Sequence, residues 1–144
     1  MTTTTAAAAW RVADAMVTCA ETHGPESGLE EVRAFFKDDH HHMALIVAPD
    51  GRLVTTIERP DLVAATSSSV ALATLGTLIG RTGGPADPLA AATAALLRAG
   101  RRRLAVVDHS GQLLGLLCLK KDGTGYCCDE GIRARILART SPPT

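Results

Sequence analysis

The sequence contains an internal repeat, which becomes visible when the chain is compared with itself at a shift of 60 residues. Identical residues then coincide without any gap, and they fall on turn formers and on apolar positions of periodic segments. We therefore expect two copies of one supersecondary unit, each too small to bury a core alone, that pack against each other. The coinciding residues are Thr22/Thr82, Gly24/Gly84, Pro25/Pro85, Leu29/Leu89, Ala34/Ala94, Val47/Val107, Gly51/Gly111 and Leu53/Leu113.

The helix signals of the two copies fall at matching places. Residues 27–30 read as a capping box, with Ser27 and Glu30 each satisfying a free amide of a helix that runs through residue 36. In copy two, Asp87 is expected to cap the equivalent helix and Pro88 to take its first position. Gly100 is a good left-handed residue for the end of that helix.

Two apolar runs follow each helix and predict strands. Residues 43–47 and 104–107 are short and rich in β-branched side chains, which suits strands that are covered on both faces. Turn signals lead from these runs into second strands at 53–57 and 113–117. Shorter extended pieces are expected before each helix, near 19–22 and 79–82. Further helices are predicted at 60–65, and as flanking elements at 9–17, 70–75 and 129–138.

The predicted fold class is therefore α/β, of the α+β kind, with two β-α-β-β-α motifs related by a pseudo-twofold axis. The motifs are expected to pack sheet to sheet, with helices on the flanks. We place a disordered tail at 1–9, motif one at 10–66, motif two at 67–128, and a C-terminal helix and tail at 129–144.

Composition excludes several classes of protein. Lys plus Arg and Asp plus Glu both number 15, so the formal charge is zero and no global field favours nucleic acid or an anionic membrane. The uncharged run at 62–80 is long enough to span a bilayer but is too rich in Ser, Thr and Gly. Residues 1–9 lack the features of a secretory signal, so we expect a soluble cytoplasmic protein. The four cysteines are too sparse for a disulfide scaffold, and reduced thiols are expected.

These motifs resemble a tandem pair of cystathionine-β-synthase (CBS) motifs, often called a Bateman module. The resemblance spans residues 11–122 and rests on degenerate motifs that occur in register at a constant shift. In copy one they are Met16, Gly24-Pro25, Leu29-Glu30-Glu31, Met43–Val47, Asp50–Val54 and Glu58–Leu62; in copy two they are Leu104–Asp108 and Gly111–Leu117.

The resemblance implies a regulatory, ligand-sensing module that binds adenine nucleotides or adenosyl compounds between the motifs and pairs into disc-like dimers. Asp61 aligns with the ribose-binding Asp of the family. A carboxylate suits that role, because it can accept hydrogen bonds from both ribose hydroxyls. The alternative is that Asp61 only complements the dipole of its helix. Glu58 stands where the family has Thr or Ser. A second carboxylate there would repel a phosphate, which favours a weakly charged adenosyl ligand or an empty site.

Copy two departs further from the family pattern. Cys118 stands in the place of the Thr or Ser, and Lys121 in the place of the Asp. Because Lys cannot accept a hydrogen bond, ribose is not expected in this second cleft. Lys120 and Lys121 are either phosphate contacts or solvated turn residues.

Basic residues before the apolar strand often reach nucleotide phosphates in the family. Arg101, Arg102 and Arg103 fit that role, because guanidinium groups bind phosphate oxygens in a bidentate way. A solvated strand entry that protects a sheet edge is the alternative. His42 and Met43 hold the corresponding positions in copy one. The family also lines its clefts with the stretch after the short strand, which here contains Thr22, His23, Gly24, Thr82 and Gly84.

No catalytic motif is present, and we expect no enzyme activity. The histidine run at 40–42 lacks the further ligands of a metal site, so no metal and no resident cofactor are expected. The leading hypothesis is a stand-alone sensor of an adenosyl-type ligand that forms a homodimer and regulates an unknown protein. A protein-interaction module with vestigial clefts is the alternative, and a thiol or metal sensor using Cys127, Cys128 and the histidines is a weaker third.

Overall fold

The chain forms two small mixed sheets with short helices around them. The computed structural model describes residues 10–39, 41–63, 71–120 and 125–127. The predicted tail at 1–9 and the predicted helix at 129–138 therefore lie outside the described residues. The elements in chain order are α1 (Val12–Ala15), β1 (Thr22–His23), α2 (Leu29–Phe35), β2 (Ala44–Val47), β3 (Leu53–Ile57), α3 (Arg59–Val63), α4 (Leu72–Leu75), β4 (Thr82–Gly83), α5 (Leu89–Arg98), β5 (Arg103–Val107) and β6 (Leu113–Cys118).

The repeat is reproduced in the strand pairing. Each sheet has three strands, in the orders β1-β2-β3 and β4-β5-β6, with the first pair parallel and the second antiparallel. The register of sheet one recurs in sheet two at a shift of 60: Thr22 pairs with Leu45 and Thr82 with Ala105. A β-bulge also follows Ile46 and Val106 alike. The predicted repeat is therefore confirmed at the level of individual residue pairs.

Contacts between the motifs obey the same symmetry. Val17 forms a bridge with Leu116, and its counterpart Thr77 forms one with Thr56. Arg52 pairs with Gln112, which is its own counterpart 60 residues on and so marks the pseudo-twofold axis. The two hairpin turns meet at this axis, each with a glycine at positive φ, Gly51 at 92° and Gly111 at 87°. L-residues rarely adopt that backbone conformation, which explains the glycine at both turns.

Burial confirms that the sheets pack face to face. Between them lies one cluster of buried side chains drawn from both motifs. Each sheet also covers its outer face with helices, and here the motifs exchange elements: α1 packs on motif two and α4 on motif one. The members of the inter-sheet cluster are Val17, Met43, Leu45, Leu53, Ala105 and Leu116.

The predicted helix caps were wrong in both copies. Helix α2 begins after Gly28 without a side-chain cap, because Ser27 instead hydrogen-bonds the side chain of Glu31. Helix α5 begins after Pro88, because the carboxylate of Asp87 accepts the N–H of Gly84 at 2.8 Å. The end of α5 is as predicted, with Gly100 at φ 69°.

The expectation of reduced cysteines is wrong for one pair. Cys118 and Cys127 form a disulfide, with Cα atoms 5.3 Å apart. The cause is a local reversal of the chain: Leu119 forms a bridge with Tyr126, and the N–H of Cys127 donates to the carbonyl of Cys118 at 2.7 Å. Cys19 is not in a disulfide, and Cys128 lies outside the described residues.

Candidate functional site

The motifs enclose a groove where the end of β3 and the start of α3 face the entries to β4 and β5. We call this groove cleft one. Its motif-one wall is Glu58–Asp61, and its motif-two wall is Gly80–Gly83 and Gly100–Arg103. The first wall begins where β3 ends at Ile57, and Glu58, the next residue, faces Arg81 of motif two.

Asp61 is held by three donors. Its Oδ2 accepts the backbone N–H of Glu58 at 2.8 Å. Arg81 adds a bidentate pair, with Nη1 at 2.7 Å from Oδ2 and Nη2 at 3.3 Å from Oδ1. Burial acts to raise the pKa of Asp61, but the hydrogen bonds from Arg81 and Glu58 outweigh it and hold that pKa below its usual value. Asp61 is thus an ionised carboxylate with both oxygens engaged.

Arg81 is the buried centre of a small ionic network. It is only 6% exposed, and its Nη1 also donates to the carbonyl of Thr56 at 3.2 Å. Glu58 lies 3.4 Å from Nη2 of Arg81 and 3.9 Å from Nη2 of Arg101. Burial acts to lower the pKa of Arg81, yet Asp61 and Glu58 raise it overall. The charge of Glu58 is therefore compensated, which corrects the inference that this carboxylate would repel an anion.

A basic cavity of about 190 Å³ opens beside Glu58. Four arginines from both motifs line it, so its net charge is positive despite the one carboxylate. At one end, Nη2 of Arg102 donates to Nε2 of His42 at 2.5 Å, and these two residues are counterparts at the pseudo-twofold axis. The lining residues are His42, Glu58, Arg59, Pro60, Gly100, Arg101, Arg102 and Arg103.

A second cavity, of about 290 Å³, lies on the other side of Arg101. Its floor is the face of α5 that carries small side chains at helical spacing, together with Leu104. The opposite wall is the backbone of β4, where a Cβ on Gly83 would come within 2.8 Å of Leu104. The lining residues are Gly80, Thr82, Gly83, Asp87, Ala92, Ala95, Leu96, Ala99, Arg101 and Leu104.

Arg101 borders both cavities. Its Nη1 donates to the carbonyl of Gly80 at 3.2 Å, and its other terminal nitrogen faces Glu58. Its side chain is about one-third exposed, at 31%. Arg101 thus lies between the basic cavity and the second cavity, which we call the apolar cavity because Gly, Ala and Leu residues form most of its lining.

The corresponding groove on the other side of the axis, cleft two, is filled by its own side chains. The positions of Gly83, Ala95 and Arg101 are taken there by His23, Phe35 and His41. The Phe35 ring stacks on His41 with centroids 3.8 Å apart and meets His23 edge-on at 4.8 Å. Glu31 fixes His23 through Nδ1 at 2.9 Å. Three rings thus occupy the place that small side chains leave open in cleft one.

The predicted site residues divide between these regions. Glu58, Asp61, His42, Thr82, Arg102 and Arg103 lie around cleft one. Gly84 lies in a loop that Asp87 closes by accepting the N–H of Gly84. Met43 is 3% exposed and lies between the sheets. Thr22, His23 and Gly24 lie at cleft two, where Glu26 crowds Gly24. Lys121 and His40 are outside the described residues.

Sequence reasoning missed Arg81 and the small side chains of α5. One signal for Arg81 was available: at a shift of 60 the pair Asp61 and Arg81 becomes Lys121 and Glu21, so complementary charges recur with reversed signs. The alanines of α5 look like ordinary helix formers until they are compared with Val32 and Phe35, their bulkier counterparts.

Two further features of the described residues concern metal binding and membrane crossing. Among the described residues, no three His, Cys, Asp or Glu side chains gather in a way that could hold a metal ion. None of the helices in the same part of the chain combines the length and apolar character that crossing a membrane requires.

Comparison with known proteins gives a structural likeness only. No family model and no curated protein match the sequence. Among solved structures, CBSX2 in complex with AMP is 19% identical, with a TM-score of 0.66 over 90% of this chain and 98% of that one. AcuB from Vibrio cholerae is 20% identical, with a TM-score of 0.65 over 93% and 98%. The CBS domain pair of the protein MJ0100, in complex with 5′-methylthioadenosine and S-adenosyl-L-methionine, is 16% identical, with a TM-score of 0.62 over 91% and 98%.

Proposed function

Because the chain has the fold of a tandem CBS-domain pair, we propose that it is a regulatory module that senses an adenosyl-type ligand in cleft one. The ligand class is that of AMP, ADP, ATP or S-adenosylmethionine. Solved structures of the same fold were obtained with AMP and with adenosyl compounds, which makes this class the natural first choice.

The observation that carries the proposal is the order of surfaces along cleft one. The apolar cavity on α5 offers a flat pocket of small side chains for a purine ring. The carboxylates follow: Glu58 lines the neighbouring basic cavity, and the N–H of Glu58 donates to Asp61, which the proposal assigns to the ribose hydroxyls. The arginine-lined cavity comes last and suits phosphate oxygens. Apolar, carboxylate and cationic surfaces thus follow one another as base, sugar and phosphate do in a nucleotide.

Binding would act through the seam between the motifs. Cleft-one residues belong to both motifs, so a ligand that contacts both favours one relative tilt over others. A changed tilt alters the surface offered to a regulated protein. We further propose that the working form is a cytoplasmic homodimer and that the module itself is not an enzyme, with no resident cofactor.

Isothermal titration of the full chain with AMP, ADP, ATP and S-adenosylmethionine tests the proposal. Ala95→Phe copies Phe35 into the apolar cavity, and it should weaken binding by roughly tenfold or more, equivalent to about 1.4 kcal/mol. Ala90→Phe, on the opposite side of α5, is the matched control and should bind as the wild type does. If a folded sample gives no binding heat with any of the four ligands, the proposal is contradicted.

A protein-interaction module with vestigial clefts remains the second candidate. Two observations favour it: the rings that fill cleft two, and the engagement of both Asp61 oxygens by Arg81. In that case a partner captured with the wild-type chain would also be captured by Ala95→Phe, with or without nucleotide.

A further inference from the structure

The carboxylate that would bind ribose is already occupied from within the chain. Asp61 has two oxygens, and Arg81 contacts both, at 2.7 and 3.3 Å. A ribose diol needs the same two oxygens as acceptors. Oδ2 already accepts the N–H of Glu58 and Nη1 of Arg81, which together use its two lone pairs. A ribose diol can therefore engage both oxygens only after Arg81 has released Oδ2.

Displacing Arg81 leaves a buried cation that must find another partner. Its side chain is 7% exposed, and without Asp61 it keeps the Thr56 carbonyl and Glu58, which is 3.4 Å away and shared with Arg101. Its Nε is buried and has no acceptor among the described residues. A buried guanidinium deprived of its carboxylate is strongly unfavourable unless another anion replaces that carboxylate.

Ligands differ in whether they bring that replacement. Adenosine brings hydroxyls but no charge. S-adenosylmethionine brings a sulfonium cation next to its ribose, and its carboxylate lies further out on the methionine arm, beyond that cation. A nucleoside phosphate brings oxygens that can pair with a freed guanidinium. The neighbouring basic cavity would hold the same phosphate near Glu58 and Arg101, next to the ionic network of Arg81.

We propose that Arg81 is a specificity-determining residue of cleft one that selects phosphorylated adenine nucleosides over adenosine and S-adenosylmethionine. It does so by exchanging Asp61 for the ligand phosphate when the ribose takes Asp61. This inference rests on the proposed function, because it concerns the ligand of the same cleft.

The test compares the affinities of AMP and adenosine, measured by isothermal titration on the full chain. In the wild type, AMP should bind more tightly than adenosine and than S-adenosylmethionine. Arg81→Gln removes the charge but keeps much of the side-chain volume. It should raise the affinity for adenosine and lower that for AMP, so that the ratio of the two falls by roughly tenfold or more. Arg98→Gln, at an exposed position on α5, should leave the ratio unchanged.

A second variant covers the case in which Arg81→Gln does not fold. Arg81→Lys keeps the cation but loses the bidentate geometry, so its AMP-to-adenosine ratio should also fall, by a smaller factor. A ratio that stays within about twofold of the wild type in a folded variant overturns the role of Arg81 while leaving the proposed function intact. Absence of binding by both ligands to the wild type and to the folded variants removes the proposed function and this inference together.

Discussion

The two clefts have the same backbone arrangement but differ in the space that their side chains leave for a ligand. Strand registers, bulges and turn glycines repeat at a shift of 60 residues. Yet Gly83 and Ala95 border a cavity of about 290 Å³, whereas the rings of His23 and Phe35 meet edge-on at the equivalent place. The comparison teaches that duplication fixes where a cleft can form, and that side-chain volume at a few positions decides whether one is available.

The two motifs also differ in the charges at equivalent positions. Asp61 and Arg81 form a bidentate ion pair in cleft one. Their counterparts Lys121 and Glu21 carry the opposite signs, although Lys121 lies outside the described residues. A ribose site requires only the carboxylate, whereas an ion pair requires both charges in either order. The reversed signs in the sequence lead us to expect that matched charges at these two positions stabilise the fold.

The largest effect is expected from breaking this ion pair. Asp61→Asn leaves Arg81 buried without its main partner and should lower the free energy of unfolding by about 3 kcal/mol. The double variant Asp61→Lys with Arg81→Glu copies the charges of Lys121 and Glu21, and it should recover at least part of that loss. Urea unfolding measures both. A double variant no more stable than the single one would show that the reversed charges are coincidental.

The disulfide distinguishes motif two from motif one, where Glu58 and Ser67 hold the corresponding positions. Closing so short a loop stabilises the folded chain by about 2–3 kcal/mol in the chain-entropy treatment. Cys127→Ser should reduce the free energy of unfolding by that amount, and a phosphine reductant should affect the wild type but not the variant. Cys19→Ser is the control, since it should keep the response to reductant. Identical unfolding curves with and without reductant would contradict the disulfide.

Removing a ring from cleft two should lower the free energy of unfolding by less than the two changes above. Phe35→Ala removes the ring that stacks on His41 and meets His23, and should destabilise the fold by about 2 kcal/mol, since Phe35 is only half-buried. Binding to cleft one should be unaffected. Leu97→Ala, which is 56% exposed on α5, serves as the control with little expected change. A Phe35→Ala chain as stable as the control would mean that the rings do not support motif one.

The smallest effect concerns pH. The pKa of Asp61 lies below its usual 3.8 in the folded chain, so its ionised form stabilises the fold above that value and the contribution is lost as the pH falls further. The stability difference between wild type and Asp61→Asn should therefore shrink below about pH 4. Thermal melting across the acid range measures it. A difference that does not depend on pH would show that the charge of Asp61 is not what stabilises the pair.

The sequence predicted the elements that local chemistry controls. Residues 53–57 form the expected strand, and the turn glycines Gly51 and Gly111 fall where the repeat places them. The repeat also predicted that the two motifs pack against each other, because each copy is too small to bury a core alone.

What the sequence could not show depends on contacts between distant residues. Ser27 and Asp87 look like helix caps, but each has a competing hydrogen-bond partner, Glu31 and Gly84. Arg81 gives no local signal, since its partner Asp61 is 20 residues away in the other motif. The disulfide likewise depends on a chain reversal after β6 rather than on a spacing motif.

The number of ligand molecules bound per chain tests the asymmetry of the two clefts most directly. Titration calorimetry with AMP on the wild-type chain should give one site per chain, and Ala95→Phe should remove or strongly weaken that site. Two sites per chain would contradict the account, because His23, Phe35 and His41 would then have to leave their stack. A single site that ignores Ala95→Phe would contradict it as well, by placing the ligand outside cleft one.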